Sequence, residues 1–264
     1  MEGLHMLEPL QYLLGAGSGS LVGFILGLAG GGGSILAVPL LVYLVGVPNP
    51  HVAIGTSALA VAVNAATGLL HHARAGNVKW RCAGLFAGAG VIGALAGSTV
   101  GKAVDGQKLL ALFALVMIGV GILMVRQRHN LGNAGAECNR EKAPKVLGTG
   151  FGTGLFSGFF GIGGGFLIVP GLTASTGMPI INAIGSSLVA VTAFGLTTAL
   201  NYSLSGLVDW LLAAAFIAGG VVGGRLGVKA AARLSTRNGT LQSVFAALIF
   251  LVAIYMLWKS LGTI

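Results

Sequence analysis

Two long stretches of this chain contain no charged side chain: residues 9–73 and 146–208 hold no Asp, Glu, Lys or Arg. Shorter uncharged stretches cover residues 82–101, 109–125, 210–224 and 238–258. A helix needs about 20 apolar residues to cross the hydrocarbon core of a bilayer, so a long stretch has room for roughly three crossings and a short one for one. The sequence therefore predicts an all-α polytopic membrane protein with about five hydrophobic segments in each half.

A glycine-rich motif occurs once in each half. Residues 30–39 (GGGGSILAVP) return as residues 161–170 (GIGGGFLIVP). Glycine clusters break helices, and a broken helix in lipid needs partners for its exposed N–H and C=O groups. Breaks at matching points of two repeats are typical of the solute sites of secondary transporters. We expect short half-helices to begin after Gly33 and Gly165, although small residues also favour close packing between helices.

The duplication extends beyond the glycines. Residues 53–57 (AIGTS) match residues 183–187 (AIGSS), and Trp80 matches Trp210. A polar and basic stretch separates the two copies. The sequence therefore predicts a first transmembrane repeat over 1–125, a linker over 126–145 and a second transmembrane repeat over 146–264.

The positions of the basic residues distinguish two topologies. Five crossings in each half place 11 Lys and Arg side chains on the linker side of the membrane and three on the other, whereas four crossings give nine and five. Because cytoplasmic loops are enriched in Lys and Arg, the odd number fits better, and it inverts the second repeat relative to the first. The linker is then cytoplasmic. The net charge of +9 is explained by topology, and we expect no nucleic-acid partner.

Inverted repeats would bring the two glycine breaks together near the middle of the membrane. A helix N-terminus offers unpaired N–H groups and about half a positive charge, which suits an anion. Hydroxyl and amide side chains can add donors at a lower burial cost than a full charge, although each can instead bond to another helix. The candidate substrate-binding residues are Gly31, Gly32, Gly33, Ser34, Thr56, Ser57, Asn64, Gly163, Gly164, Gly165, Ser186, Ser187 and Asn201.

Titratable groups inside the predicted spans are few. His71 is the candidate for proton coupling because the spans hold almost no carboxylate, and an interfacial position beside Arg74 is the alternative. Arg225 is the one cation within a predicted span. Its long stem can carry the charge to the interface, or the side chain can line the path of an anion.

Other motifs exclude several classes of protein. The sequence contains no phosphate-binding loop, no Ser/His/Asp arrangement and no metal-ligand spacing, so we expect no enzyme activity, no cofactor and no metal. The row Gly93, Gly97 and Gly101 suits close helix packing, and both packing within the monomer and a homodimer remain open.

The repeated motifs resemble those of the TauE/SafE family, also called sulfite exporters. The resemblance rests on residues 30–39 and 161–170, on residues 53–57 with their copy 183–187, and on the spacing of Trp80 and Trp210. It implies an integral membrane transporter of small, mostly sulfur-containing anions in a bacterial cytoplasmic membrane. It does not choose the substrate, the coupling ion or the direction of transport.

We therefore expect a secondary transporter of sulfite, an organosulfonate or a related oxyanion that works by alternating access. Its partners are the small anionic substrate and the lipid bilayer. An anion channel would share the electrostatics, and a non-transport membrane assembly subunit is a further alternative. A cation carrier is disfavoured because the second repeat has no acidic residue within its spans.

Overall fold

The computed structural model describes residues 8–127, 142–234 and 250–259, which contain helices and no strands. The helices are α1 (Pro9–Ala29), a 3₁₀ helix (Gly30–Leu36), α2 (Ala37–Pro39), a π-helix (Leu40–Leu44), α3 (Pro50–Arg74), α4 (Trp80–Ala103), α5 (Gly106–Gln127), α6 (Ala143–Phe160), α7 (Gly165–Thr176), α8 (Ile180–Ser203), α9 (Trp210–Leu234) and α10 (Phe250–Lys259).

Five of these helices, α1, α3, α4, α8 and α9, are long and apolar enough to cross a membrane. The prediction of an all-α polytopic membrane protein is thus confirmed. Most of the predicted linker over 126–145 lies outside the described residues, as does the first part of the last predicted segment.

Helix directions show how the two repeats are related. The helices α3 and α8 pack together and contain the matched AIGTS and AIGSS motifs. A methyl group added to Gly68, late in α3, would lie 3.5 Å from Leu188, early in α8. A methyl group added to Gly185 would lie 2.7 Å from the carbonyl oxygen of Asn77, just after α3. The equivalent helices therefore run antiparallel, so the repeats are inverted.

The two ends of the helix bundle are called the Lys102 end and the His71 end, after a residue at each. Equivalent hydrogen bonds are found at both ends, as inverted repeats require. At the Lys102 end, Thr56 accepts a hydrogen bond from the Asp209 N–H at the start of α9 (2.9 Å). At the His71 end, Ser186 accepts one from the Lys79 N–H at the start of α4 (2.9 Å). Each hydroxyl thus binds an N–H group at the start of a helix from the other repeat.

Glycines form two close seams between helices of different repeats. The helices α1 and α9 run side by side in the same direction, and a methyl group on Gly19 would collide with the backbone of Phe216. The helices α4 and α6 form the matching seam, where a methyl group on Gly97 would collide with the backbone of Leu155. The row Gly93, Gly97 and Gly101 therefore packs within the monomer.

We predict that Gly97→Ala destabilises the protein, because overpacking a close helix contact typically costs about 1–3 kcal/mol. Gly88→Ala is the matched control in the same helix, since a methyl group there meets nothing within 4 Å. Alanine also favours helix formation over glycine, so the control should be neutral or stabilising. Thermal unfolding of purified protein in detergent measures both changes. Equal melting temperatures for the two variants would show that α4 and α6 are not in close contact at Gly97.

Candidate functional site

A cavity of about 490 Å³ opens at the His71 end between α1, α3, α8 and α9. Its walls are mainly apolar side chains and glycines. Basic side chains line its mouth: His71, His72, Arg74, Arg225 and Lys229. Neither Asp nor Glu occurs among the described residues that line it. The cavity is therefore electropositive at its entrance, and its volume lies in the range of small-ligand sites.

Asn64 lies at the buried part of this cavity. Only 6% of this residue is exposed. Neither the amide nitrogen nor the amide oxygen of its side chain has a hydrogen-bond partner. The amide packs against Gly220 of α9, where any larger residue would collide with it. One turn earlier on α3, Val61 lies against Gly163 of the second glycine motif. The same face of α3 thus leads from the cavity to the broken helix.

The second glycine motif is a true helix break. Gly161, Gly163 and Gly164 adopt left-handed backbone conformations with φ of 66°, 65° and 65°, which side-chain-bearing residues rarely adopt. A new helix, α7, begins at Gly165 and runs for 12 residues. The N–H groups of Leu167 and Ile168 donate to the Gly164 carbonyl oxygen. Those of Gly165 and Phe166, two buried residues, have no partner within the helix.

Ser157 adds a hydroxyl to this break. Its side chain is fully buried, and its Oγ has no hydrogen-bond partner. A methyl group on Gly164 would lie 2.8 Å from that Oγ, so the hydroxyl faces the start of α7. A polar group buried without a partner carries a free-energy cost, which a hydrogen-bonding ligand would remove.

The first glycine motif differs from the second in the form of its helix. A short apolar helical segment over Gly32–Leu44 does follow the glycines, but it begins within a 3₁₀ helix (Gly30–Leu36), which leads through α2 into the π-helix. Glycines allow this tighter winding because they have no side chain to crowd the turn, and Gly33 packs directly on the backbone of α1. Two facing α-helix N-termini are therefore absent from the described structure, although the 3₁₀ helix and α7 do pack against each other.

The predicted hydroxyls are placed apart from one another. Thr56 and Ser186 bind backbone N–H groups at opposite ends of the bundle. Ser57 and Ser187 donate hydrogen bonds to carbonyls of their own helices, at 3.0 and 2.8 Å. Ser34, Gly32 and Gly33 are buried within the 3₁₀ helix, and Gly31 belongs to the same helix. The structure thus does not gather these groups around one point.

Asn201 lies at the Lys102 end, away from Asn64. Its amide nitrogen donates to Ser98 and Thr99, and its oxygen accepts from Lys102. The structure thus places Asn201 at the end of α8, whereas Asn64 lies near the middle of α3.

Comparisons with known proteins identify the family of this chain. The family described as "Sulfite exporter TauE/SafE" matches residues 15–256. The chain belongs to the TauE/SafE family. A "Probable membrane transporter protein" of Xylella fastidiosa strain 9a5c is 54% identical over 250 residues, which cover 92% of this chain and 94% of the relative.

More distant relatives of this TauE/SafE protein bear similar names. The "Probable membrane transporter protein YunE" of Bacillus subtilis is 25% identical, with 92% of this chain and 96% of the relative covered. A "Probable membrane transporter protein" of Haemophilus influenzae is 30% identical, with 91% and 96% covered. No solved structure matches the chain. The family and these names indicate a membrane transporter and not an enzyme.

Sequence reasoning missed two residues of this TauE/SafE protein. Ser157 lies in a small-residue helix and looks like a packing residue. Its contact with Gly164 depends on how the chain folds back after α6, which the sequence does not display. Lys102 lies at the end of a predicted span and looks like a loop residue. Its three hydrogen bonds to α8 and to Ser205 depend on tertiary packing that the sequence does not display.

His71 is exposed at the cavity mouth, a position that fits both the coupling hypothesis and the interfacial alternative. Its Nδ1 lies 3.0 Å from the carbonyl oxygen of Thr67. Because a carbonyl only accepts hydrogen bonds, this contact requires the proton to be on Nδ1. Arg225 also lines this mouth, where its charge can lie at the interface or beside the path of an anion.

We predict that Ser186→Ala lowers the melting temperature, because it removes the acceptor for the Lys79 N–H at the start of α4. Loss of a helix-capping hydroxyl costs about 1 kcal/mol. Ser203→Ala is the matched control, since that hydroxyl bonds only to Leu200 of its own helix. Thermal unfolding with and without a bound anion distinguishes a capping role of this hydroxyl from a substrate-binding role. If Ser186→Ala leaves the melting temperature unchanged but abolishes stabilisation by the anion, the hydroxyl binds substrate instead.

Proposed function

We propose that this TauE/SafE protein is a secondary transporter that moves a small anion across the cytoplasmic membrane by alternating access. The candidate substrates are sulfite, an organosulfonate or a related sulfur-containing oxyanion. One observation carries the proposal: a cavity with a basic mouth leads along α3 towards a buried helix N-terminus.

Electrostatics favours an anion over a cation in this cavity. Arg225 and Lys229 on α9 face His71 and Arg74 on α3 across the mouth. Basic side chains in a cleft with apolar walls raise the local concentration of anions. Deeper inside, the amide of Asn64, the hydroxyl of Ser157 and the N–H groups at the start of α7 can donate hydrogen bonds to an oxyanion without a buried cation.

The same geometry suggests how the substrate reaches the centre. An anion enters at the His71 end, passes Thr67 and reaches Asn64. From there the α3 face continues to Val61 beside Gly163. The left-handed glycines at this break let the backbone approach a ligand closely. Tilting of one repeat against the other would then open the path at the Lys102 end.

The positive-inside rule assigns the His71 end to the cytoplasm in this proposal. Arg74, Lys79 and Lys142 all lie at or near that end, where α3 and α7 end and α4 and α6 begin. The cavity would accordingly face the cytoplasm.

Binding and transport can be tested separately. Purified protein is heated with sulfite, thiosulfate, sulfoacetate, taurine, sulfate or small carboxylates, because a ligand that binds only the folded state raises its melting temperature. Uptake of the stabilising anion into proteoliposomes then tests transport. Saturation of the rate at low substrate supports a carrier, and conductance that does not saturate supports an anion channel. Failure of every anion to bind would overturn the proposal.

We predict that Arg225→Gln weakens anion binding by roughly tenfold, equivalent to about 1.4 kcal/mol, because it removes one charge from the cavity mouth. Lys145→Gln is the control, since this exposed lysine lies on α6, outside the cavity lining. Anion-induced thermal shifts and the KM of uptake measure the effect. Equal KM values for both variants would show that Arg225 does not contact the substrate path.

We predict that His71→Asn flattens the pH dependence of anion uptake. A protonated imidazole adds positive charge beside His72, Arg74, Arg225 and Lys229, so acid conditions should favour anion entry in the wild-type protein. Uptake is measured in proteoliposomes over a range of external and internal pH. An unchanged pH profile in the variant would exclude His71 as the coupling group.

A further inference from the structure

Five polar residues tie α4 to α8 at the Lys102 end, and we call them the Lys102 clasp: Ser98, Thr99, Lys102, Asn201 and Ser205. The Lys102 ammonium donates to the Asn201 carbonyl oxygen (2.9 Å), to the Asn201 Oδ1 (2.9 Å) and to the Ser205 Oγ (2.8 Å). The amide nitrogen of Asn201 donates to Ser98 (2.7 Å) and Thr99 (3.1 Å). All three ammonium protons are thereby used, and every bond of the clasp except that to Ser205 links two helices.

The clasp connects the two repeats, because α4 belongs to the first and α8 to the second. Lys102 also lies 5.9 Å from the ring centre of the buried Tyr202, within the range of a cation–π contact. Hydrogen bonds to a charged donor are stronger than those between neutral groups, and Lys102 is half-buried. The clasp therefore holds α4 and α8 together more strongly than bonds between neutral side chains would.

Among the described residues, the equivalent place at the other end of the bundle shows no matching set of hydrogen bonds. The repeat offset of 130 residues places His71 where Asn201 stands, Lys229 where Thr99 stands and Ala75 where Ser205 stands. Instead of an ammonium held by acceptors, α3 and α9 present two basic side chains to each other. The cavity opens at this end.

The interior is also filled towards the Lys102 end and open towards the His71 end. Phe194 occupies the position equivalent to Asn64, and Gly90 occupies the position equivalent to Gly220. The Phe194 ring is fully buried, stacks on Phe86 with ring centres 6.4 Å apart and fills the space above Gly90. Where the cavity reaches Asn64 on one side, an aromatic side chain fills the matching space on the other.

We propose that the Lys102 clasp, backed by Phe194, is the gate that closes the transporter at the end opposite the cavity. This inference rests on the proposed alternating-access function. Opening that end separates α4 from α8, which breaks the bonds of Lys102 and Asn201. The clasp thus holds the protein with its cavity open at the His71 end, and its loss shifts the population towards the opposite conformation.

Hydrogen–deuterium exchange of the full-length protein in nanodiscs, without substrate, tests this gate at both ends. Lys102→Met removes the ammonium and keeps the apolar stem. We expect several-fold faster exchange at the Lys102 end, in residues 98–103 and 201–208, and slower exchange at the cavity end, in residues 68–74 and 220–229. The reciprocal change is the signature of a gate, because closing one end accompanies opening the other.

Two variants control this experiment. Lys108→Met removes an exposed lysine at the same end and should leave both regions unchanged. Lys102→Arg keeps a cation with several donors and should stay close to wild type. If Lys102→Met does not fold, Asn201→Leu removes the partner side chain and should shift exchange in the same directions by a smaller factor.

Other outcomes would overturn the gate. Faster exchange at the Lys102 end alone would show that the clasp is a local structural tie. Unchanged exchange at both ends would show that it does not hold the conformation. Exchange is measured without substrate, so either failure differs from a failure to bind or transport anions, which would count against the proposed function itself.

Discussion

Burial of interrupted helices inside the protein is the constraint on which the rest of this structure depends. In a bilayer, an exposed N–H or C=O group has no water to bind, so irregular backbone is tolerated only within protein or beside a cavity. The segment Gly30–Leu36 and the turn before Gly165 satisfy this condition, since most of their residues are buried. The long helices α3 and α8 and the two glycine seams provide the enclosure.

Inverted duplication builds that enclosure from two copies of the same set of contacts. The seam of α1 with α9 matches that of α4 with α6, and the bond from Asp209 to Thr56 matches that from Lys79 to Ser186. The Lys102 end and the His71 end nevertheless differ, because the two repeats carry different residues at a few equivalent positions. Asn64 against Phe194 and His71 against Asn201 change the polarity of matching spaces while the helix packing stays the same.

The sequence predicts the architecture well because long helices in lipid are governed by length, hydropathy and charge. The uncharged stretches locate α1, α3, α4, α8 and α9, and the distribution of Lys and Arg indicates the inversion that the antiparallel packing of α3 and α8 shows. The first break is harder to predict. A run of four glycines predicts a break, but it does not show that the next segment begins as a 3₁₀ helix whose Gly33 packs against the backbone of α1.

The candidate site is predictable only in part, for a related reason. A hydroxyl such as that of Thr56 has the same sequence signature whether it binds a ligand or the first N–H of another helix, and the helix that it meets lies far away in sequence. Asn64 and Asn201 likewise look equivalent in the sequence, yet one amide lies without partners beside a cavity and the other holds an ammonium. What distinguishes such residues is whether the folded protein already supplies a partner, because burial of an unpaired polar group is costly unless a ligand pays that cost. Asn64, which lines the cavity, and Ser157, which faces the start of α7, both lack a partner in this sense, so burial without a partner adds a criterion that residue type alone does not supply.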